Sequence, residues 1–188
     1  DGDYSLDSIS LLLALAMNGH IAVPLSRDVA AHHDAFRALA EAEYCIHAGD
    51  RSPTIRRTGV QATHAHYQRL RERCTSGLVL FSSGSTGAHK AAVHDLRKLL
   101  EKFSVPRHCY RTLVFLQLDH IGGVNTLFYT LSNAGAVVVS EGRTPRQVCE
   151  AIATHRVELL PTSPTFLNLL LLSEEHQRHD LSSLKLIT

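Results

Sequence analysis

The sequence lacks the features that would place it across a membrane, on a secretory route or around a metal ion. No apolar run approaches the roughly 18 residues a membrane-spanning helix needs. The longest, around Leu11–Met17 and Leu167–Leu172, are far shorter. Asp1, Asp3 and Asp7 precede the first run, where a signal peptide would carry basic residues. The four cysteines, Cys45, Cys74, Cys109 and Cys149, form no C-x-x-C pair. That excludes a zinc ribbon, offers no disulfide framework and fits a reduced, cytoplasmic setting. Histidine is frequent, 13 residues, yet His64 and His66 would point to different helical faces. His176 and His179 could share a face but have no Cys or carboxylate partners at ligand spacing, so no metal site is expected. Internal repeats and low-complexity segments are absent as well.

What remains is an ordinary globular composition, 44% hydrophobic and 20% charged in 188 residues. That length suits one domain, or one domain and part of another. The 19 basic and 18 acidic residues nearly cancel, but unevenly along the chain. Arg51 to Arg111 holds twelve Lys or Arg against three Asp or Glu; the rest holds seven against fifteen. A basic middle is either a solvated face or the footprint of an anionic partner. Stacking aromatics do not interleave with these basic residues, so no nucleic-acid partner is expected.

Apolar periodicity and capping residues predict alternating helices and strands. Leu6–Met17 is apolar on nearly every side and reads as a buried helix ended by Asn18-Gly19. Asp28 is a candidate cap for a second helix with Val29, Phe36, Leu39 and Ala40 as its stripe. Tyr44–His47 reads as a strand, residues 49–60 as a loop or polar ribbon, and His64–Arg73 as an exposed helix. Gly77–Phe81 and His89–His94 read as a strand and its return, followed by a short helix over Leu96–Phe103. Thr112–Leu118 is a further strand and Ile121–Leu131 a helix. The last third is clearest: strand Ala136–Val139, a Thr144-Pro145-Arg146-Gln147 helix start, strand Val157–Leu160, a helix from Ser163-Pro164, and a strand at Leu184–Ile187. Short connections between them predict an α/β fold, a parallel-rich sheet with helices packed on it. A sequence that starts beside a helix and stops at a strand end, where such folds place ligand loops, reads as a fragment.

One stretch concentrates chemistry. Gly77-Leu78-Val79-Leu80-Phe81 runs into Ser82-Ser83-Gly84-Ser85-Thr86-Gly87-Ala88-His89-Lys90. Glycines allow close backbone approach, successive N–H groups can form an anion-binding concavity, hydroxyls add donors and Lys90 adds a charge. Together they suit a di- or triphosphate. The spacing is not G-x-x-x-x-G-K-[ST], because Gly84 and Gly87 are three apart and Ala91 follows Lys90, and no G-x-G-x-x-G is present. The composition alone equally fits a Ser/Gly hairpin turn.

The order of these residues resembles the phosphate loop of the AMP-forming adenylating enzymes, roughly [YF]-[ST]-S-G-[ST]-T-G-x-P-K-G. Phe81 through Ala88 follow it and Lys90 falls on its lysine, while His89 stands for Pro and Ala91 for Gly. Leu116-Gln117-Leu118-Asp119-His120-Ile121-Gly122-Gly123 resembles the family's P-L-x-H-x-x-G, with Gln117 for Pro. His20-Ile21-Ala22-Val23-Pro24-Leu25, Asn133-Ala134-Gly135-Ala136, His155-Arg156-Val157 through Pro164-Thr165, and Asp180-Leu181-Ser182-Ser183-Leu184-Lys185 resemble further family segments. The family's Y-G-x-T-E motif, ribose-binding Asp and C-terminal Lys find no match in these residues.

The resemblance implies that residues 1–188 are part of the N-terminal AMP-binding domain of an acid–thiol ligase. It implies ATP as substrate, with Ser82, Ser83, Gly84, Ser85, Thr86, Gly87 and Lys90 cradling its phosphates. It implies His120 as the wall between nucleotide and acyl sites. Mg²⁺, with ligands largely outside this chain, a carboxylic acid, and a CoA or carrier-protein thiol complete the implied set. The isolated chain would then be inactive. A non-catalytic nucleotide-binding or interaction module derived from the family is the alternative, motivated by His89, Ala91 and Gln117.

Overall fold

The computed structural model describes residues 1–48, 53–83 and 89–188. Two units are formed, Asp1–Lys102 with Leu118–Ile121, and Phe103–Gln117 with Gly122–Thr188.

In the first unit, helix α1 (Leu6–Met17) starts where Ser5 Oγ accepts the Ser8 N–H at 3.1 Å. After its end at Asn18, Gly19 adopts φ +73°, a left-handed turn that glycine makes without a Cβ clash, and the chain enters strand β1 (Ile21–Ala22). The predicted bounds hold, but the predicted burial does not. Only Ser8 and Leu12 are buried, while Leu6 and Met17 are 80% and 86% exposed. All-round apolarity here accompanies a helix covered on one face.

Asp28 is not a helix cap. A 3₁₀ turn over Arg27–His32 follows Ser26 and runs into helix α2 (His33–Leu39). Phe36 and Ala40 are buried as expected, whereas Leu39 is half exposed. Strands β2 (Tyr44–His47) and β3 (Thr54–Arg57) form an antiparallel ribbon. Helix α3 (Ala65–Glu72) buries only Tyr67 and Leu70; the Tyr67 hydroxyl donates to the Ala40 carbonyl at 2.9 Å. Strand β4 (Gly77–Ser83) pairs in parallel with β1 and antiparallel with β5 (His89–Asp95). Helix α4 (Leu96–Glu101) follows, with Asp95 accepting the Lys98 N–H. Ala40, Tyr67 and Val79 form a buried cluster against which Ile21, Val23, Phe81, Ala91 and Val93 pack.

The second unit is the predicted parallel sheet. Strand β6 (Arg111–Leu113), helix α5 (Ile121–Ser132), strand β7 (Ala136–Val138), helix α6 (Pro145–His155), strand β8 (Leu159–Leu160), helix α7 (Pro164–Leu172) and strand β9 (Leu186–Ile187) follow in order. The sheet order is β7-β6-β8-β9, every pair parallel. Strand β6 is shorter than the predicted Thr112–Leu118, because the Phe115 N–H turns back to the Leu113 carbonyl at 3.1 Å. Helix α6 has the capping box its sequence announces, Thr144 and Gln147 exchanging side-chain and backbone bonds. Its Val148, Cys149, Ala151 and Ile152 are buried against Leu113, Val157, Leu160, Phe166 and Leu170.

Ile152 is fully buried in that cluster. Ile152→Ala is expected to cost about 2–5 kcal/mol through lost contacts and a cavity. Leu172→Ala, at a site 83% exposed, should stay within about 0.5 kcal/mol. Urea unfolding of the two variants measures both.

Candidate functional site

The β4–β5 hairpin positions the predicted phosphate-binding residues that the structure describes. Its antiparallel register pairs Phe81 with Ala91, Ser82 with Lys90 and Ser83 with His89. Gly84, Ser85, Thr86 and Gly87 lie outside the described residues. Residues directly opposite in an antiparallel pair share a face, and faces alternate along the strand. Ser82 and Lys90 therefore stand together on one face, and both are exposed. A hydroxyl donor beside an ammonium, where two strands end, is an arrangement an anionic group can use.

The opposite face carries a contact that sequence reasoning missed. The Phe36 ring stacks on Phe81, centroids 4.1 Å apart and 6° from parallel. The His89 ring meets Phe36 edge-on at 4.7 Å and lies 4.7 Å from His32. His89, the residue standing for the family's Pro, is part of an aromatic wedge under the end of the hairpin. Only the aromatic character of Phe36 and Phe81 signalled it. Farther along the Lys90 face, burial and the positive charge of Lys102 hold the His94 imidazole below its ordinary pKa.

His120 is exposed at the end of the turn before α5, after buried Leu118 and Asp119. Asp119 Oδ2 accepts the Ser26 hydroxyl at 2.5 Å and the Ser26 N–H at 3.3 Å. Asp119 Oδ1 is buried and has no hydrogen-bond partner. Burial, then the negative charge of Asp119, pushes the buried Tyr4 phenol above its ordinary pKa. No hydrogen bond or ring contact joins His120 to Ser82 or Lys90 among the described residues. The Ser26–Asp119 bond joins the residue after V-P-L to the residue before His120, 93 positions apart.

The glycines after His120 have a steric reason. A Cβ at Gly123 would overlap the carbonyl oxygens of Leu116 and Gln117, which are backbone and cannot swing away. At Gly122 it would come within 2.7 Å of Leu116 Cδ1, the movable end of a side chain. The H-x-x-G spacing places its glycine where the preceding strand exit crosses the first turn of α5.

Among the described residues, no cluster of His, Cys, Asp or Glu could hold a metal ion. None of the helices formed by them is long and apolar enough to cross a membrane.

The sequence model of the family described as AMP-binding enzyme matches residues 50–188. No curated protein matches the sequence. Among solved structures, the amide bond synthetase McbA from Marinactinospora thermotolerans is similar at a TM-score of 0.64 and 20% identity, over 99% of this chain and 43% of its own. The luciferase-like enzyme from the nonluminescent Zophobas morio mealworm is similar at a TM-score of 0.50 and 25% identity, over 58% of this chain and 27% of its own. The anthranilate CoA ligase AuaEII, solved with anthranoyl-AMP, is similar at 0.50 and 26%, over 58% and 23%. The chain thus spans less than half the length of each. The likeness to McbA shows a shared α/β fold.

Two outcomes follow from the geometry. Gly123→Ala should destabilise the chain by at least about 3 kcal/mol, the upper range for overpacking, while Gly122→Ala costs less; thermal unfolding compares them. His94 has a lowered folded pKa, so the unfolded chain binds the proton more readily. Its contribution is present above the ordinary value of about 6.5 and is lost as pH falls toward the folded pKa. His94→Gln should therefore lose less stability than wild type between about pH 7.5 and about pH 5 in urea titrations.

Proposed function

Because the chain belongs to the AMP-binding enzyme family, we propose that it is part of the N-terminal large domain of an ATP-dependent, AMP-forming acid–thiol ligase. In the proposed reaction a substrate carboxylate oxygen bonds to the α-phosphorus of ATP. The bond from that phosphorus to the bridging oxygen breaks, and pyrophosphate leaves with its electron pair. A thiol of CoA or a carrier protein then adds to the acyl carbon, loses its proton and expels AMP, leaving a thioester. AuaEII, with its bound anthranoyl-AMP, supports an acyl-adenylate as the intermediate.

The observation that carries this reading is the Ser82–Lys90 pair at the exposed end of the hairpin. Charge moves toward the leaving pyrophosphate as the reaction proceeds. Donors already in place stabilise that charge without reorganising. Ser82 and Lys90 supply a hydroxyl and a cation there, and Ser83, Gly84, Ser85, Thr86 and Gly87 complete the proposed cradle. The excess of basic residues between Arg51 and Arg111 favours approach of a polyanion. His120 is proposed as the wall between nucleotide and acyl groups. Mg²⁺ would share the phosphate charge when bound.

The 188 residues alone are proposed to bind nucleotide without turning over. Titration calorimetry should show ATP binding that Lys90→Ala weakens roughly ten- to a hundredfold, the value of a hydrogen bond to a charged group. An unchanged affinity would overturn the phosphate assignment. Pyrophosphate exchange over a panel of carboxylic acids should stay at background; robust exchange would overturn the proposed inactivity.

A further inference from the structure

We propose that Asp119 is a positioning residue whose carboxylate, clamped by Ser26, fixes the turn that carries His120. The role given to His120 rests on the ligase reading above; the clamp itself does not.

Asp119 is 7% exposed and Ser26 is 2% exposed. One carboxylate oxygen takes both the hydroxyl and the N–H of Ser26. A hydroxyl that donates to a carboxylate makes a charge-assisted bond, stronger than one between neutral groups. The anchor is itself held. The Ser26 carbonyl bonds the His33 imidazole at 2.8 Å, and the next N–H, of Arg27, donates to Asp3 at 2.9 Å. Two neighbouring segments thus keep Ser26 in place.

His120 has no side-chain hydrogen bond or ring contact of its own among the described residues. Its placement comes from the backbone on either side, and the residue on one side is Asp119.

The choice of carboxylate is costly. Asp119 forms no ion pair with the described residues, and Oδ1 lacks a partner. A buried, incompletely satisfied carboxylate is destabilising, and an apolar or neutral residue would fill the space at lower cost. Such costs concentrate where geometry at a site has to be held. Asp119 spends its remaining bonding capacity on one rigid contact beside an exposed imidazole.

The test uses the chain with Ser26→Ala and Ser26→Thr. Amide hydrogen exchange at residues 119–121 is read first, followed by affinities for AMP and for an acyl-sulfamoyl adenosine that would span both subsites. With Ser26→Ala, exchange at 119–121 should accelerate about tenfold, the loss of a charge-assisted bond. Affinity for the acyl-sulfamoyl adenosine should fall about tenfold, with AMP affinity changed less than about twofold. Ser26→Thr, which keeps the hydroxyl, should restore both. General destabilisation would weaken both ligands alike, and that outcome, or unchanged exchange at 119–121, overturns the proposal. If wild type binds neither ligand, the ligase reading fails and the clamp stands or falls on exchange alone. Should Ser26→Ala not fold, Asp119→Asn is read in its place. It keeps an acceptor for Ser26 but loses the charge, and should show the same pattern at reduced size; wild-type exchange in that variant overturns the clamp.

Discussion

Strand β4 is held on both edges, by β1 in parallel and β5 antiparallel, and the candidate site depends on that pairing. Leu78 and Val79 are fully buried, so the strand has no freedom to slide without exposing them. Because side chains alternate, a slip of one residue would exchange the faces of Phe81 and Ser82 and part Ser82 from Lys90. The Phe36–Phe81 stack adds a specific contact on the buried side, worth about 0.5–1.5 kcal/mol beyond burial. The same register that packs Phe81 against the Ala40–Tyr67–Val79 cluster presents Ser82 beside Lys90. Core packing and site geometry are therefore one constraint, expressed on two faces of the same hairpin.

Asp119 stands in the opposite relation to stability. The hairpin lowers free energy wherever it positions a group, whereas the carboxylate raises it. Among the described residues its Oδ1 has no hydrogen-bond partner, and burial of its charge is offset by Ser26. Packing holds one part of the unit and a buried polar contact holds another. The second kind is directional, and two bonds to one oxygen tie Ser26 to Asp119 specifically.

The elements most legible in the sequence are those whose ends carry their own chemistry. Helix α6 starts at its predicted residue because Thr144, Pro145 and Gln147 are a local code for a helix start, and the chain needs no distant partner to obey it. The parallel sense of β7, β6, β8 and β9 was equally accessible, since short helical connections between strands favour it, whereas their order in the sheet was not. The end of β6 was not, because the apolar run continues while the Phe115 N–H turns back. Nor was the exposure of α1, since periodicity reports which faces are apolar and not what covers them. In the candidate site, Ser82 and Lys90 were found by order and chemistry. The Ser26–Asp119 bond and the Phe36–Phe81–His89 wedge were not, because each joins residues far apart with no period between them. Ser26 belongs to no motif, and Asp119 falls on the unspecified position of P-L-x-H-x-x-G.

His89 shows how a departure from a motif can be absorbed. A proline at this position would stiffen the hairpin through its locked φ, at the loss of an N–H. His89 keeps the N–H, and its ring packs edge-on against Phe36 and beside His32. Stiffness supplied by a covalent ring is exchanged for stiffness supplied by packing. The two differ in one consequence: a locked φ needs no partner, whereas the wedge needs Phe36 in place. Phe36 is in place because α2 buries it, and α2 follows directly from the 3₁₀ turn that Ser26 opens. In this chain the end of the hairpin and the turn before α5 thus draw on the same stretch, Ser26 to Phe36. The departure at His89 has made the end of the hairpin depend on a segment that a proline would have left free.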